Sequence, residues 1–470
     1  MKSPETSDYE TPDHPPATGH ARFCPTFNRL APRRRIIIIV LIFLTALGVR
    51  LVNWQTHHNE ALAVQTGVAL NYKHQARLIR ANGLASLYDA SSSTNNPDLL
   101  GHPPGYPILL SFVYRVASES DTATKLLQMM LDSLSVVIIL LIACESFPTP
   151  VGLIAGLMAA LAPQFSWNSI TLLPDSLTAL PILLAVVIIT RTRSRANRSD
   201  RSSLPALLAA GALIGISCLL RANALLLAPF LTLLFLFICK RGVRLRPGLI
   251  LTCGVLLILS PLTIRNLIVF GKFIPVSLGA GQTLVEGLAD YNTDGSLGLP
   301  QTDIELIRGE GETAHRPDYA NSLFTPDGTE RDRARLARGF AVIRAHPFWF
   351  AGVMVRRAAS MLRLERTPLR LAVADSGAPL GLFQWPLRIV QRLLITAIFL
   401  PLALIGAGIL VFRRQFQTLA ILLAVPCYYF CTQSALHTEY RYVLVIHYFL
   451  FVLAALAVYS IARTLRRFVR

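Results

Sequence analysis

An acidic motif follows the first long apolar run of the chain. It consists of His57, His58, Asn59 and Glu60, a few residues beyond the apolar run 36–52. A carboxylate at the edge of a membrane can act as a general base toward an acceptor hydroxyl or amine. The alternative is a solvated loop acid without a chemical role. The motif indicates Glu60 as a candidate base and, by itself, leaves both interpretations open.

A second carboxylate, Asp175, stands in the sequence Leu-Leu-Pro-Asp-Ser-Leu at the start of another apolar run. An acidic residue in this place can simply cap the N-terminus of a helix, where the helix dipole favours it. It can also take part in a reaction if it reaches the same face of a helix bundle as Glu60. Two carboxylates at one face favour this second interpretation.

The sequence Gly-His-Pro-Pro-Gly-Tyr-Pro occupies residues 101–107. Proline lacks an N–H donor and disfavours helix for the residue before it, so this stretch predicts a rigid start to a helix. It would hold His102 at the depth of lipid headgroups, where an imidazole can contact a phosphate. A helix start without a ligand is the alternative.

Arginines form a further group at the edges of apolar runs. Arg221 lies between two runs, Arg265 follows another, and Arg441 precedes the last one. Guanidinium groups suit bidentate recognition of phosphate, and interfacial snorkelling is the alternative. The chain has no glycine-rich nucleotide loop, Walker motif or zinc signature. A reaction here therefore requires a donor other than a soluble nucleotide sugar, and a lipid-phosphate donor fits a site at the membrane edge.

The elements that must position these residues are membrane helices. The chain is 53% hydrophobic and only 15% charged, and its apolar residues form blocks long enough to cross a bilayer. Because a backbone inside lipid must satisfy its own hydrogen bonds, these blocks are predicted to be helices. The net charge of +18 lies in short arginine clusters between the blocks. That pattern is typical of a multi-pass membrane protein and argues against nucleic-acid binding.

Placing every arginine cluster on the cytoplasmic side predicts ten spans, including 204–220 and 223–239, with both termini cytoplasmic. Counting 106–120 as a crossing would put the cluster at 191–201 outside, so 104–120 is predicted to be an interfacial helix.

The chain is predicted to divide into four parts. The first is a disordered cytoplasmic tail (1–34), and the second is an N-terminal transmembrane catalytic module (35–263) with outer loops 53–124 and 164–175. The third is a large mixed outer segment (264–385), and the fourth consists of C-terminal transmembrane helices with a basic tail (386–470).

One apolar stretch of the outer segment is predicted to lie on the membrane surface. Phe348–Leu364 carries Arg356 and Arg357 near its middle. Two arginines at mid-bilayer would cost roughly 2.5–3.5 kcal/mol each. An amphipathic surface helix therefore explains the pattern better than a span.

Taken in order, the acidic motif, the His-Pro-Pro-x-Tyr-Pro stretch and the Pro-Asp-Ser motif resemble those of the GT-C superfamily of glycosyltransferases. The closer resemblance is to the branch that holds protein O-mannosyltransferases and bacterial lipid A aminoarabinose transferases. The stretch 261–271, with Arg265 and Asn266, is similar to the bacterial "P-W-x-x-R-N … F-G" segment of that branch. Residues 437–442 are similar to its "R-Y" element. The resemblance covers roughly residues 35–460, although each motif is short.

This resemblance implies an all-α, GT-C-like bundle and an inverting hexosyl- or pentosyltransferase in the cytoplasmic (inner) membrane, with an extracytoplasmic active site. The implied donor is a polyprenyl-phosphate sugar, and the acceptor is a lipid, protein or polysaccharide. No cofactor or metal site is predicted, while a divalent cation is left open. The implied roles are Glu60 as base, Asp175 as the acid that orients the acceptor or base, His102, Arg221, Arg265 and Arg441 as donor-phosphate ligands, and Asn59, Tyr106, Asn266 and Tyr442 as acceptor-site or supporting residues.

Two alternatives remain open. The family usually has Asp-Glu where this chain has Asn59 and Glu60, which weakens the base assignment and allows a non-catalytic family member. A transporter or flippase of lipid-linked sugars would need ionisable residues along a path through the bundle. The predicted spans are poor in charge, and Asp132 is their main exception; it can equally be a helix-contact residue.

Overall fold

The protein, described by a computed structural model, is a bundle of helices joined by loops. The structure describes residues 25–63, 66–95, 100–197, 203–238, 245–364 and 383–468. Within these ranges there is no β-strand. The prediction of an all-α protein is therefore confirmed.

The first half of the chain supplies most of the bundle. Its helices are α1 (Pro32–Ala63), α2 (Thr66–Asn82), α3 (Gly105–Ala117), α4 (Asp121–Ser146), α5 (Thr149–Leu161), α6 (Pro163–Ile170), α7 (Asp175–Asn197), α8 (Leu204–Leu220), α9 (Leu227–Ile238) and α10 (Leu245–Phe270). Four shorter helices follow: α11 (Ala280–Ala289), α12 (Asp303–Ala314), α13 (Gly328–Ala345) and α14 (Pro347–Met361). The last are α15 (Gln384–Gln391), α16 (Thr396–Phe412), α17 (Phe416–Ala435) and α18 (Leu444–Phe468).

Several helices are long and apolar enough to cross a membrane. In the described residues six satisfy this by themselves, and two bent pairs, α5 with α6 (52°) and α15 with α16 (54°), raise the number to eight if each pair is one span. The shorter apolar helices Leu204–Leu220 and Ala222–Leu236 stand where two more spans were predicted. A multi-pass membrane protein is confirmed, whereas the number ten stays a prediction.

The N-terminal tail is described only in part. Residues 1–24, where most of the predicted disorder falls, lie outside the described residues. Beyond them the chain packs on the bundle: Phe27 is buried, and Thr26 Oγ1 accepts a hydrogen bond of 2.9 Å from the backbone N–H of Thr149. The segment just before α1 is thus held against the start of α5.

The helix α18 lies at the centre of the bundle. Every residue from Leu444 to Ala457 is buried, and the helix contacts α4, α5, α7, α16 and α17. A helix that is apolar on all sides is expected in such a place. Its buried polar residues are His447 and Tyr448, and the Tyr448 hydroxyl donates 3.2 Å to Asp132 Oδ1.

Asp132 forms a buried ion pair inside the bundle. Arg50 Nε of α1 lies 2.6 Å from Asp132 Oδ2 of α4, and the two side chains are 0% and 3% exposed. With Tyr448, the pair joins α1, α4 and α18. The structure therefore assigns Asp132 to a contact between helices.

The segment between α10 and α15 was expected to be mixed, and its described part consists of helices and loops. Arg331 and Arg335 of α13 both bind Glu310 of α12, at 2.8 and 2.6 Å. Both arginines are buried, and α11 packs on α13. Charge-assisted hydrogen bonds thus give this layer a small polar core of its own.

The predicted surface helix corresponds to α14, which begins at Pro347 and ends at Met361, and its position on the membrane surface stays a prediction. Its Phe348 is 91% exposed, whereas Val353 is buried. The two arginines point in different directions. Arg356 is exposed, while buried Arg357 donates hydrogen bonds to the backbone carbonyl groups of Gly287, Ser434 and Leu436. Arg357 therefore ties the end of α11 to the loop after α17.

Helices α8 and α10 approach each other closely at a pair of glycines. A Cβ atom on Gly211 would lie 2.0 Å from the carbonyl oxygen of Leu251 and 3.0 Å from the Cα atom of Gly254. Only glycine fits in this contact, as is common where membrane helices pack closely.

We expect Gly211→Ala to force α8 and α10 apart. Overpacking typically destabilises a protein by about 1–3 kcal/mol, so the thermal midpoint of the detergent-purified protein should fall. The control is Gly408→Ala in α16, where nothing lies within 4 Å of the added Cβ atom. Size-exclusion chromatography after heating measures both variants. An equal effect of the two substitutions would contradict the close-contact explanation.

Candidate active site

A buried ion pair joins two of the residues that the sequence singled out. Asp175 begins α7, and Arg221 directly follows α8. Arg221 Nη1 lies 3.0 Å from Asp175 Oδ1, and the side chains are 17% and 1% exposed. The other lone pairs of the carboxylate have no hydrogen-bond donor within the described residues. A buried carboxylate with free acceptor capacity is typical of functional sites, because structural carboxylates are usually satisfied.

A second arginine lies beside this pair at the start of the last span. The Cζ atom of Arg221 lies 3.9 Å from the ring centroid of Tyr442, a cation–π contact. Arg441 Nε lies 2.6 Å from Glu439 Oε2, and the Tyr442 hydroxyl donates 3.0 Å to Glu439 Oε1. The Cζ atom of Arg441 also lies 5.4 Å from the Tyr442 ring centroid, so both arginines contact this ring.

His102 belongs to the same cluster. Its ring centroid lies 5.4 Å from that of Tyr72, which in turn lies 5.1 Å from that of Tyr106. Burial, together with the positive charges of Arg221 and Arg441, lowers the pKa of His102 to about 4. The imidazole is therefore neutral at neutral pH.

Tyr72 of α2 is a member of the cluster that the sequence analysis missed. Burial raises the pKa of its hydroxyl; Arg221 opposes that rise, and Asp175 adds to it. Tyr72 packs in one buried cluster with Leu173 and Leu177, the residues two before and two after Asp175. An α2 tyrosine carries no motif, so the sequence held no signal for it.

A buried glutamine fixes the loop before Asp175. Gln128 of α4 donates hydrogen bonds to the carbonyl groups of Thr171 (2.8 Å) and Leu173 (3.1 Å) and accepts one of 2.8 Å from the Tyr106 hydroxyl. Tyr106 is thus connected through Gln128 to the loop before Asp175, and its predicted supporting role stays a prediction. Sequence reasoning missed Gln128, but its polar side chain in an apolar span was a usable signal.

The glycine of the His-Pro-Pro-x-Tyr-Pro stretch permits a close contact. A Cβ atom on Gly105 would lie 2.4 Å from the carbonyl oxygen of Leu219 at the end of α8. The start of α3 therefore rests directly on the chain that leads into Arg221. This contact brings His102 and Tyr106 to the ion pair, and a larger side chain would push them away.

Arg265 and Asn266 hold a loop in place. Arg265 donates hydrogen bonds to the carbonyl group of Leu87 at 3.0 Å and to the side chains of Asn95 and Asn266, the latter at 2.8 Å. Asn266 Nδ2 donates to the carbonyl group of Ile274 at 2.9 Å. These contacts tie the loop 84–95 to the end of α10. None of them involves the cluster around Asp175, so a phosphate-binding role for Arg265 stays a prediction.

Glu60 lies in the last turns of α1. The helix has a non-helical residue at His57 (φ −118°, ψ 21°) and continues to Ala63. The His57 ring centroid lies 5.8 Å from that of Trp167, whose Nε1 donates 3.2 Å to the Tyr440 hydroxyl. The bend therefore packs against the segment that leads into Arg441. The side chains of Asn59 and Glu60 lie outside the described residues, and their roles stay predictions.

His437 links the cluster to α11. Its Nδ1 lies 2.8 Å from Asp290 Oδ2, and its Nε2 lies 3.9 Å from Glu439 Oε1. Although burial opposes protonation, the hydrogen bond to Asp290 and the negative charges of Asp290, Glu286 and Glu439 raise the pKa of His437 to about 10. Burial likewise opposes ionisation of Glu439, but the positive charge of His437 and the hydrogen bonds from Arg441 and Tyr442 hold its pKa at about 2. Both groups are charged at neutral pH.

We expect stability to fall at alkaline pH because of His437. Its pKa is higher in the folded protein than in an unfolded chain. The contribution of His437 to the free energy of unfolding is therefore complete below about pH 6.5 and disappears as the pH rises through about 10. Thermal midpoints measured between pH 6 and 10.5 should decline more steeply for the wild type than for His437→Gln. His315→Gln, at an exposed position, is the control. Parallel curves for the wild type and His437→Gln would contradict this assignment.

Within the described ranges, no group of three or more His, Cys, Asp or Glu side chains is arranged to hold a metal ion. The charged groups of the cluster are instead paired with one another. A divalent cation is therefore not assigned to any of these residues.

The family model described as dolichyl-phosphate-mannose-protein mannosyltransferase matches residues 101–264, which include His102, Asp175 and Arg221. No curated protein sequence matches the chain. Among solved structures, the oligosaccharyltransferase of Archaeoglobus fulgidus with a tethered acceptor peptide has a TM-score of 0.55 at 15% identity, over 93% of this chain and 50% of that one. The chain therefore shares the fold of this oligosaccharyltransferase, which agrees with the predicted GT-C-like bundle. The resemblance predicted from the sequence is thereby confirmed.

Two further structures are similar to the chain. AglB of Archaeoglobus fulgidus, in complex with an inhibitory peptide and a dolichol-phosphate, has a TM-score of 0.52 at 15% identity, over 92% of this chain and 51% of that one. ArnT of Cupriavidus metallidurans, bound to undecaprenyl phosphate, has a TM-score of 0.39 at 15% identity, over 92% and 79%. The chain spans about half the length of the archaeal oligosaccharyltransferase.

Proposed function

We propose that this protein is a membrane glycosyltransferase that transfers a sugar from a polyprenyl phosphate to an acceptor at the extracytoplasmic face. The observation that carries the proposal is the Asp175–Arg221 pair with Arg441 and a neutral His102 around it. In this cluster a carboxylate with free acceptor capacity, Asp175, lies near two cations, Arg221 and Arg441, at the ends of apolar helices. It offers groups for both the acceptor and an anionic donor.

The two arginines would bind the donor phosphate. Arg221 uses Nη1 on Asp175 and one face of its guanidinium on Tyr442, which leaves further N–H donors for oxygen ligands. Arg441 is held by Glu439. Neutral His102 can donate or accept a hydrogen bond there without adding charge. Donors fixed before the reaction stabilise the negative charge that grows on a departing phosphate.

The transfer itself would be a single inverting displacement. The acceptor oxygen or nitrogen forms a bond to the anomeric carbon while the bond from that carbon to the phosphate oxygen breaks. Glu60 takes the acceptor proton, and the polyprenyl phosphate leaves with the electron pair. Asp175 orients the acceptor or the base.

A transporter of lipid-linked sugars finds less support. It would need ionisable residues open to a path through the bundle. Arg50 and Asp132 are instead buried and bound to each other.

The proposal is tested by deleting the gene and measuring, by mass spectrometry, the glycans of envelope proteins, lipids and polysaccharides. We expect one modification to disappear and the wild-type gene to restore it. Glu60→Gln should restore it about 100-fold less well, because a positioned base contributes about 10²–10⁴-fold to a rate. The amount of protein in the membrane is measured in parallel by immunoblotting.

Two matched variants complete this experiment. Glu119→Gln changes an acid that pairs with Arg77 at 2.8 Å outside the cluster, and it should behave as the wild type. Asn59→Asp introduces the acid usual in the family and should retain activity. Full restoration by Glu60→Gln would exclude Glu60 as the base, and an unchanged glycan profile after deletion would argue against the transferase itself.

A further inference from the structure

A cavity lies at the end of the bundle away from the cluster around Asp175. It has a volume of about 370 Å³, opens to the surface, and is lined by residues of the segment before α1 and of α1, α4 and α7. Its polar lining is Arg35, Arg191 and Glu145, and its apolar lining includes Ile36, Ile39 and Leu141.

This cavity is separate from the cluster around Asp175. Both are bordered by α4, the cluster at Gln128 and the cavity at Glu145. At 1.5 Å per residue, these positions are about 25 Å apart along the helix. A ligand in the cavity therefore cannot touch the candidate active site.

The cavity carries an excess of positive charge. Arg191 Nε lies 2.7 Å from Glu145 Oε1, so these two side chains neutralise each other. Arg35 has no ion pair or side-chain hydrogen bond with the part of the chain that the structure describes, and its side chain is half-buried. The hydrogen bond of Thr26 to Thr149 holds the segment that lines the cavity in place. One unpaired guanidinium in a formed cavity predicts an anionic ligand.

An apolar stripe leads away from the cavity along α1. Ile36, at the cavity, is 60% exposed, and one and two turns further on Val40 and Leu44 are 44% and 54% exposed. Residues four apart lie on one face of a helix. The stripe therefore continues from the charged site along a surface that faces lipid.

We propose that this cavity binds the headgroup of an anionic phospholipid. The lipid phosphate would lie between Arg35 and Arg191, and an acyl chain would follow Ile36, Val40 and Leu44. Arginine supplies paired donors for phosphate oxygens. A free phosphate would use the same cations but would gain nothing from the apolar stripe, which favours the lipid.

The test uses native mass spectrometry of the full-length protein in detergent, equilibrated with phosphatidylglycerol or phosphatidylcholine. The wild type should retain more phosphatidylglycerol than phosphatidylcholine. Arg35→Gln should lower that retention about tenfold, as expected for the loss of a charge-assisted contact. Arg34→Gln is the control, because this neighbouring arginine is exposed and does not line the cavity.

A third variant is expected to change phosphatidylglycerol retention in the opposite direction. Glu145→Gln removes the carboxylate that competes with the lipid for Arg191, so it should increase phosphatidylglycerol retention, a gain that misfolding would not produce. Equal losses in Arg34→Gln and Arg35→Gln would overturn the proposal in favour of general attraction to a basic surface. Displacement of the lipid by millimolar inorganic phosphate would overturn it in favour of a free phosphate.

Discussion

Asp175→Asn is expected to lower sugar transfer by about 100-fold or more. Asparagine keeps the shape of the side chain but loses the charge that holds Arg221 at 3.0 Å. Arg221 would then be free to leave the ring of Tyr442, and the orienting carboxylate would be lost as well. The measurement is the restoration of the missing glycan by the variant in the deletion strain, normalised to the amount of protein.

For Asp175→Asn, a loss of stability must be distinguished from a loss of transfer activity in the folded protein. Removing one partner of a buried pair leaves an uncompensated charge that destabilises a protein by about 3–5 kcal/mol. The double variant Asp175→Asn/Arg221→Gln removes that charge, so it should regain stability and remain inactive. Asp121→Asn, which breaks a more exposed pair with Lys73, should leave activity unchanged. Recovery of transfer in the double variant would show that the pair is only structural.

Asp132→Asn is expected to destabilise the bundle by about 3–5 kcal/mol without altering the candidate active site directly. Arg50 would remain buried among apolar helices with its charge unpaired, since its 2.6 Å partner is gone. The free energy of unfolding in mixed detergent–SDS micelles measures this change. Transfer activity per folded molecule should stay close to that of the wild type.

The double variant Arg50→Met/Asp132→Leu distinguishes a structural pair from a transport path. Replacing a buried pair by apolar residues of similar volume is often neutral or stabilising, so this variant should regain most of the stability and retain transfer. Tyr448→Phe, which loses only one hydrogen bond to Asp132, should cost about 1 kcal/mol. Loss of transfer in a stable Arg50→Met/Asp132→Leu variant would revive the transport interpretation.

The sequence was a reliable guide to the helices and to several residues of the cluster. Apolar blocks must form helices inside lipid because their backbone has no other hydrogen-bond partners, and the structure places helices where they were predicted. The motifs at His102, Asp175 and Arg441 were recognisable because they interrupt apolar runs with polar residues. Arg221, in a tight turn between two helices, was recognisable for the same reason.

The same reasoning could not distinguish arginines by role. Arg221 and Arg265 both follow apolar helices and looked alike in the sequence. Arg221 pairs with Asp175, whereas Arg265 binds Leu87, Asn95 and Asn266 of the protein itself. The difference arises from which loops pack against each helix end, and sequence spacing does not contain that information.

The sequence by itself therefore determined that this is an all-α membrane protein with polar groups at the ends of its spans. Only the tertiary structure decided that Gln128 fixes the loop before Asp175 and that Tyr72 completes the cluster. It also decided that Asp132 is paired with Arg50. The physical reason is that burial and pairing are properties of contacts between distant helices, while hydropathy and turn chemistry are properties of neighbouring residues.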